Sequence, residues 1–166
     1  MKNIILKSEN ISEQQIKDAL EESLSKLNKD IKKVLLLPPD FTRFYSQAGK
    51  ITAMYYDILK DRCQVDIMPA VGTHMPMSDE EIDRMYGKDI PKDRFIVHDW
   101  RKDIVKIGEV PGSYVKEVSE GLLDFSIDVE VNYRLVNSEY DLIISIGQVV
   151  PHEVVGMANY SKNIFV

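Results

Sequence analysis

Three short apolar stretches constrain the fold of this chain more than any other feature. Val34–Leu37, within KKVLLL, is apolar at every position rather than at every second one, and QVDIMPAVG (64–72) and YDLIISIG (140–147) are similarly dense in apolar residues. A strand with one wet face alternates, whereas a strand without alternation is covered on both faces, the condition of a parallel strand between layers of helix. RFIVHD (94–99) is expected to add a further strand, and Pro38-Pro39 ends the first one. The intervening segments have helical spacing. Ser12 and Gln15 form a capping box ahead of Ile16, Ala19, Leu20, Leu24 and Leu27. Ile51, Met54, Tyr55, Ile58 and Leu59 place a helix within 47–62, and Ser78 with Glu81 starts a short one that Gly87 closes.

Strands alternating with helices predict an α/β domain built on a mostly parallel, doubly wound, Rossmann-like sheet with helices on both faces. Residues 103–133 depart from that pattern. IVKIGEV and the alternating Phe125, Ile127, Val129, Val131 and Tyr133 predict a small antiparallel insertion. After the last strand, a loop from Gln148 is expected to enter a helix at Pro151 or shortly after.

A chain of 166 residues suits one domain, 1–166, and its 44% hydrophobic and 29% charged residues are those of a globular protein. The formal charge of -6 repels phosphate backbones, and no basic stripe relieves it, so nucleic acid is a poor partner. Val34–Leu37 falls far short of the roughly twenty apolar residues that span a bilayer. MKNIILKSEN lacks the apolar core and cleavage site of a secretory signal, and Cys63 has no second cysteine to pair with, which together favour the cytoplasm.

In an open α/β sheet, ligands bind beyond the carboxyl ends of the strands. Four polar clusters, PPDFTR, GTHMP, HDW and GQVVPHE, each follow a candidate strand and are expected to gather at one edge. Asp40, Thr42 and Arg43 bring a carboxylate, a hydroxyl and a guanidinium together, and the forked donors of Arg43 match a carboxylate or phosphate. The plainer alternative has Asp40 capping the next helix and pairing with Arg43. His74 and His152 both lie in proline-restrained turns, where an imidazole can give or take a proton near neutrality. Two such residues suit a substrate approached from opposite faces, as racemisation requires, although a loop histidine bonded to a nearby carbonyl is the ordinary alternative. His98 is expected to be structural. The three histidines lack the close spacing of a metal site, so no metal held by this chain alone is expected. GxGxxG, GxxxxGK[ST] and GxSxG motifs are all absent.

In combination, the DFTR loop (40–43), VGTHMPMSDEEI (71–82), HDW (98–100) and IGQVVPHEVVGMANYSKNIFV (146–166) resemble, in order, the N-terminal domain of the nickel-dependent lactate racemase family. The resemblance covers essentially the whole chain. It implies a racemase or epimerase of a 2-hydroxy acid, with His74 and His152 as the catalytic acid-base pair and Arg43 binding substrate. It also implies that Lys162 carries a nickel-pincer nucleotide, with Asp40 and Thr42 on the cofactor side. In that family's chemistry a hydride leaves the α-carbon for the cofactor and returns to either face. The resemblance further implies that a C-terminal domain supplies the nickel-ligating histidine, so 1–166 alone is expected to be inactive. Met157-Ala158-Asn159-Tyr160-Ser161 is bulkier than the family's glycine-rich stretch, which places the chain in a divergent branch whose hydroxy acid need not be lactate. A non-catalytic module that binds small anions on the same fold is the alternative, and surface uncovered by a missing domain points to a homodimer.

Overall fold

The structure is a computed structural model and describes residues 3–27, 29–137, 139–154 and 156–165. Its elements run α1 (Glu13–Ser25), β1 (Lys33–Leu37), α2 (Ala48–Leu59), β2 (Gln64–Ile67), α3 (Asp79–Tyr86), β3 (Ile104–Val110), α4 (Gly112–Val118), β4 (Ile127–Asn132), β5 (Leu142–Ser145), β6 (Pro151–His152), β7 (Gly156–Met157) and α5 (Lys162–Phe165). Both capping boxes form: Ser12 and Gln15 start α1, and Ser78 and Glu81 start α3. No helix among the described residues is long and apolar enough to cross a membrane.

β1 lies at the centre of a parallel sheet of order β2-β1-β5. Its side chains point alternately into two apolar layers. Val34 and Leu36 pack with Tyr55, Leu59, Ile82 and Tyr86 on the face covered by α1, α2 and α3. Leu35 and Leu37, both fully buried, pack with Met68, Ile143 and Ile164 on the other. That second layer is thinner, made by α5 and a 3-10 turn at Tyr133–Leu135 rather than by long helices.

RFIVHD contributes one bridge, Phe95 to Ile67, instead of a full strand. Two residues on, Pro69 has no N–H with which to extend the ladder. Even so, the bridge gives the sheet a sequence of Phe95, β2, β1, β5, so chain order reverses between β1 and β5. The antiparallel insertion forms as β3 paired with β4, with a register shift between Lys106 and Gly108. α4 inside it was not expected from the sequence, because GSYVKEV carries glycine and two β-branched valines, all poor helix formers.

The expected helix near Pro151 is absent. Pro151 instead opens a two-residue hairpin with Gly156–Met157, and the helix waits until Lys162. A proline lacks an N–H and so suits an edge strand as well as a first helical turn, while Gly156 supplies the positive φ of 79° next to the turn.

Candidate functional site

The reversal of strand order between β1 and β5 opens a crevice where two neighbouring strand exits diverge. At the exit of β1, Pro38 O accepts from Ala70 N at 2.7 Å, which locks the exits of β1 and β2 side by side. Pro39 O accepts from the Tyr86 hydroxyl at 3.0 Å, fastening α3 to the same point. Asp40 then caps a 3-10 turn, Phe41–Ser46, accepting from Thr42 N at 3.1 Å and from the Thr42 hydroxyl. The capping role anticipated for Asp40 is therefore real, but its partner across the site is not Arg43. Arg43 instead approaches Thr42 Oγ1, at 3.4 Å, and makes no ion pair among the described residues.

That partner is His74. Gly72, with φ of 56°, turns the chain after β2, and His74 N donates to Val71 O at 2.9 Å, which brings the imidazole over the β1 exit. His74 Nδ1 lies 2.6 Å from Asp40 Oδ2. Asp40 is 7% exposed whereas the His74 side chain is 63% exposed, so a buried carboxylate holds an accessible ring. A carboxylate accepts, so Nδ1 carries the proton and the lone pair of the neutral ring falls on Nε2.

The opposite wall follows β5. Asn163 Nδ2 lies 2.8 Å from Asn159 Oδ1 and 3.4 Å from Leu37 O, while Ser145 Oγ donates to Asn159 Oδ1 at 2.8 Å. Asn159 Nδ2 in turn donates to Gly147 O at 3.1 Å. This amide network ties the Lys162 segment to the tips of both β1 and β5. Sequence reasoning missed its members. The available signal was asparagine itself, which tolerates the left-handed region, and Asn159 adopts φ of 64°.

The result is a cleft of about 140 Å³ lined by Asp40, Thr42, Arg43, His74, Gln148 and Lys162, among others. His152 does not line it. It sits on β6, just past Val150, which does. Its Nδ1 accepts from Val154 N at 3.1 Å, and since an amide can only donate there, the neutral ring carries its proton on Nε2. The Glu153 carboxylate, at 3.8 Å, is too distant to reverse that assignment. Glu153 is held below the usual carboxylate range by its own backbone N–H first and by the neighbouring His152 second, with smaller contributions from Arg43 and Lys162. The His152 turn therefore lies within electrostatic reach of the cleft cations. His98 stands apart, 2.9 Å from Asn132 Nδ2, and burial lowers its pKa.

The order of these residues around one strand reversal matches a known domain. A family model described as the lactate racemase N-terminal domain matches residues 2–166. The chain belongs to the lactate racemase N-terminal domain family. A crystal structure of a protein from Thermotoga maritima superposes with a TM-score of 0.76 at 29% identity, covering 90% of this chain and 36% of that one. The lactate racemase apoprotein from Thermoanaerobacterium thermosaccharolyticum gives a TM-score of 0.62 at 21% identity, again over 90% of this chain and 36% of that one, a likeness of fold. The racemase-type domain thus spans 36% of the length of each of these solved structures. No curated protein matches the chain.

For a nickel-pincer nucleotide, the cleft offers a primary amine on Lys162 for covalent attachment and the Arg43 guanidinium for an anionic group. Among the described residues, no cluster of three or more His, Cys, Asp or Glu could hold a metal ion. The lining thus fits the organic part of such a group.

Proposed function

We propose that this lactate racemase-type domain forms one wall of the active site of a 2-hydroxy acid racemase or epimerase. The observation that carries the reading is the Asp40–His74 pair, at 2.6 Å, in the same cleft as Arg43 and Lys162. Arg43 binds the substrate carboxylate in two parallel hydrogen bonds and so orients the α-carbon. His74, its Nδ1–H committed to Asp40, presents Nε2 as a base to the substrate hydroxyl. As the α-hydrogen departs with its electron pair, the hydroxyl proton passes to Nε2 and a 2-keto acid forms. Return of both to the opposite face yields the other enantiomer. His152, just beyond the cleft lining and with its one proton on Nε2, serves that face as a hydrogen-bond donor to the substrate oxygen, while the proton that returns comes from His74. When bound at Lys162, a nickel-pincer nucleotide supplies reversible hydride acceptance, chemistry that no side chain here offers.

A cleft with one wall does not exclude water or fix reacting atoms on both sides. The rest of a two-domain protein supplies the second wall in this reading, and the chain alone is expected to turn over no hydroxy acid. Mass spectrometry of the Lys162 peptide, purified from cells that make the cofactor, tests the assignment. A sulfur-bearing nucleotide adduct that disappears in Lys162→Arg is the expected result. Unmodified Lys162, with an anion still bound at Arg43, would instead identify a binding module without catalysis.

A further inference from the structure

Behind the cleft, a second cavity of about 220 Å³ opens between the β2 exit and the β3–β4 insertion. The two cavities share Ala70, Gly72, Thr73 and Asn163 in their linings, so they lie side by side. Its walls are largely apolar, formed by Leu37, Met68, Ile104, Leu135 and Ile164, and an apolar cavity of roughly 150 Å³ already admits benzene. The size suits a single six-membered ring.

The polar groups at this cavity are specific. Asn132 is almost fully buried, and its Oδ1 accepts from Arg134 N at 3.0 Å. Its amide orientation is therefore fixed, so Nδ2 is the donor to His98 Nδ1 at 2.9 Å. His98 consequently keeps its proton on Nε2, and burial favours the neutral ring. That leaves one Nε2–H donor on a cavity wall. Trp100 also lines the cavity, with the Arg101 guanidinium stacked 4.0 Å from its ring. Glu130 stands at the edge and disfavours a second anionic group. None of these residues has a part in the proton transfers assigned to the cleft.

We propose that this cavity is the side-chain pocket of the substrate, and that it selects a 2-hydroxy acid bearing a neutral aromatic ring. The proposal rests on the hydroxy-acid reading of the neighbouring cleft. Burying a ring in place of a methyl group favours the aromatic acid by at least about ten-fold. Trp100, the only tryptophan of the chain, reports occupancy through its fluorescence.

The test titrates the chain with p-cresol, with both enantiomers of 3-phenyllactate and with lactate, reading Trp100 emission and, by calorimetry, overall binding. The expected result is a saturable change with p-cresol and phenyllactate, with phenyllactate half-saturating at least about ten-fold below lactate. Ile104→Phe, which fills the cavity, should erase that preference, and Arg43→Ala should weaken both acids while sparing p-cresol. No saturable response to p-cresol, or equal affinity for the two acids, overturns the proposal, and this comparison needs only the unaltered chain. If p-cresol saturates Trp100 while neither acid binds, the ring pocket stands and the hydroxy-acid reading of the cleft fails.

Discussion

The imidazoles of His74 and His152 are held in opposite tautomers by their neighbours. Asp40 accepts from one Nδ1 at 2.6 Å, and Val154 N donates to the other at 3.1 Å. In a complete racemase carrying this domain, Asp40→Asn would present an amide that can also donate to Nδ1, which moves the proton to Nε2 and removes the base. Racemisation should fall by roughly 10²–10⁴-fold with little change in melting temperature. His98 gives a second test. Burial depresses its folded pKa below the ordinary 6.5, so the unfolded chain binds more protons as pH falls. The stabilisation is present above the unfolded value and is lost as pH drops through the folded one. Melting curves at about pH 7.5 and about pH 5.5 should show this loss, and the difference should shrink in His98→Gln. Residue types at the site were legible from strand-end placement, but the pairing of Asp40 with His74 was not. It joins positions 34 residues apart through a turn geometry that no local pattern encodes.

At the level of elements, the packing of α2 on α3 depends on one close approach. A Cβ at Gly49 would lie 2.2 Å from Met85 O, a backbone atom that cannot rotate away. Gly49→Ala should therefore push α3 off α2 and destabilise the chain by about 1–3 kcal/mol, measured by urea unfolding. Because Tyr86 on α3 bonds Pro39 O at the cleft, ligand affinity should fall in the same variant. The long helices and the central strands were readable because capping boxes and apolar density are local signals. The failures have a common physical origin. RFIVHD stops pairing because of Pro69 on its neighbour, and Pro151 starts a hairpin because a missing N–H is equally compatible with an edge strand. Both outcomes are decided by what lies alongside in space.

For the molecule as a whole, the strand-order reversal between β1 and β5 gathers three of the four polar clusters at one cleft and sets the fourth, HDW, at the cavity behind it. The α4–β4 segment carries Tyr114, Val118, Leu122 and Phe125, all exposed, with Leu122 at 85%. Such a surface favours self-association. Sedimentation of the chain should show concentration-dependent dimers or larger species that Leu122→Lys combined with Phe125→Lys reduces. The single cleft at this reversal is open to measurement, because the chain's three histidines offer three separate imidazole signals. Titration with lactate, followed by ¹H–¹³C imidazole NMR, tests it directly. His74 and His152 should shift with one common half-saturation while His98 stays nearly still, and Arg43→Ala should abolish the response. Independent titration of His74 and His152, or a shift confined to His98, would contradict a single anion-binding cleft at the β1–β5 reversal.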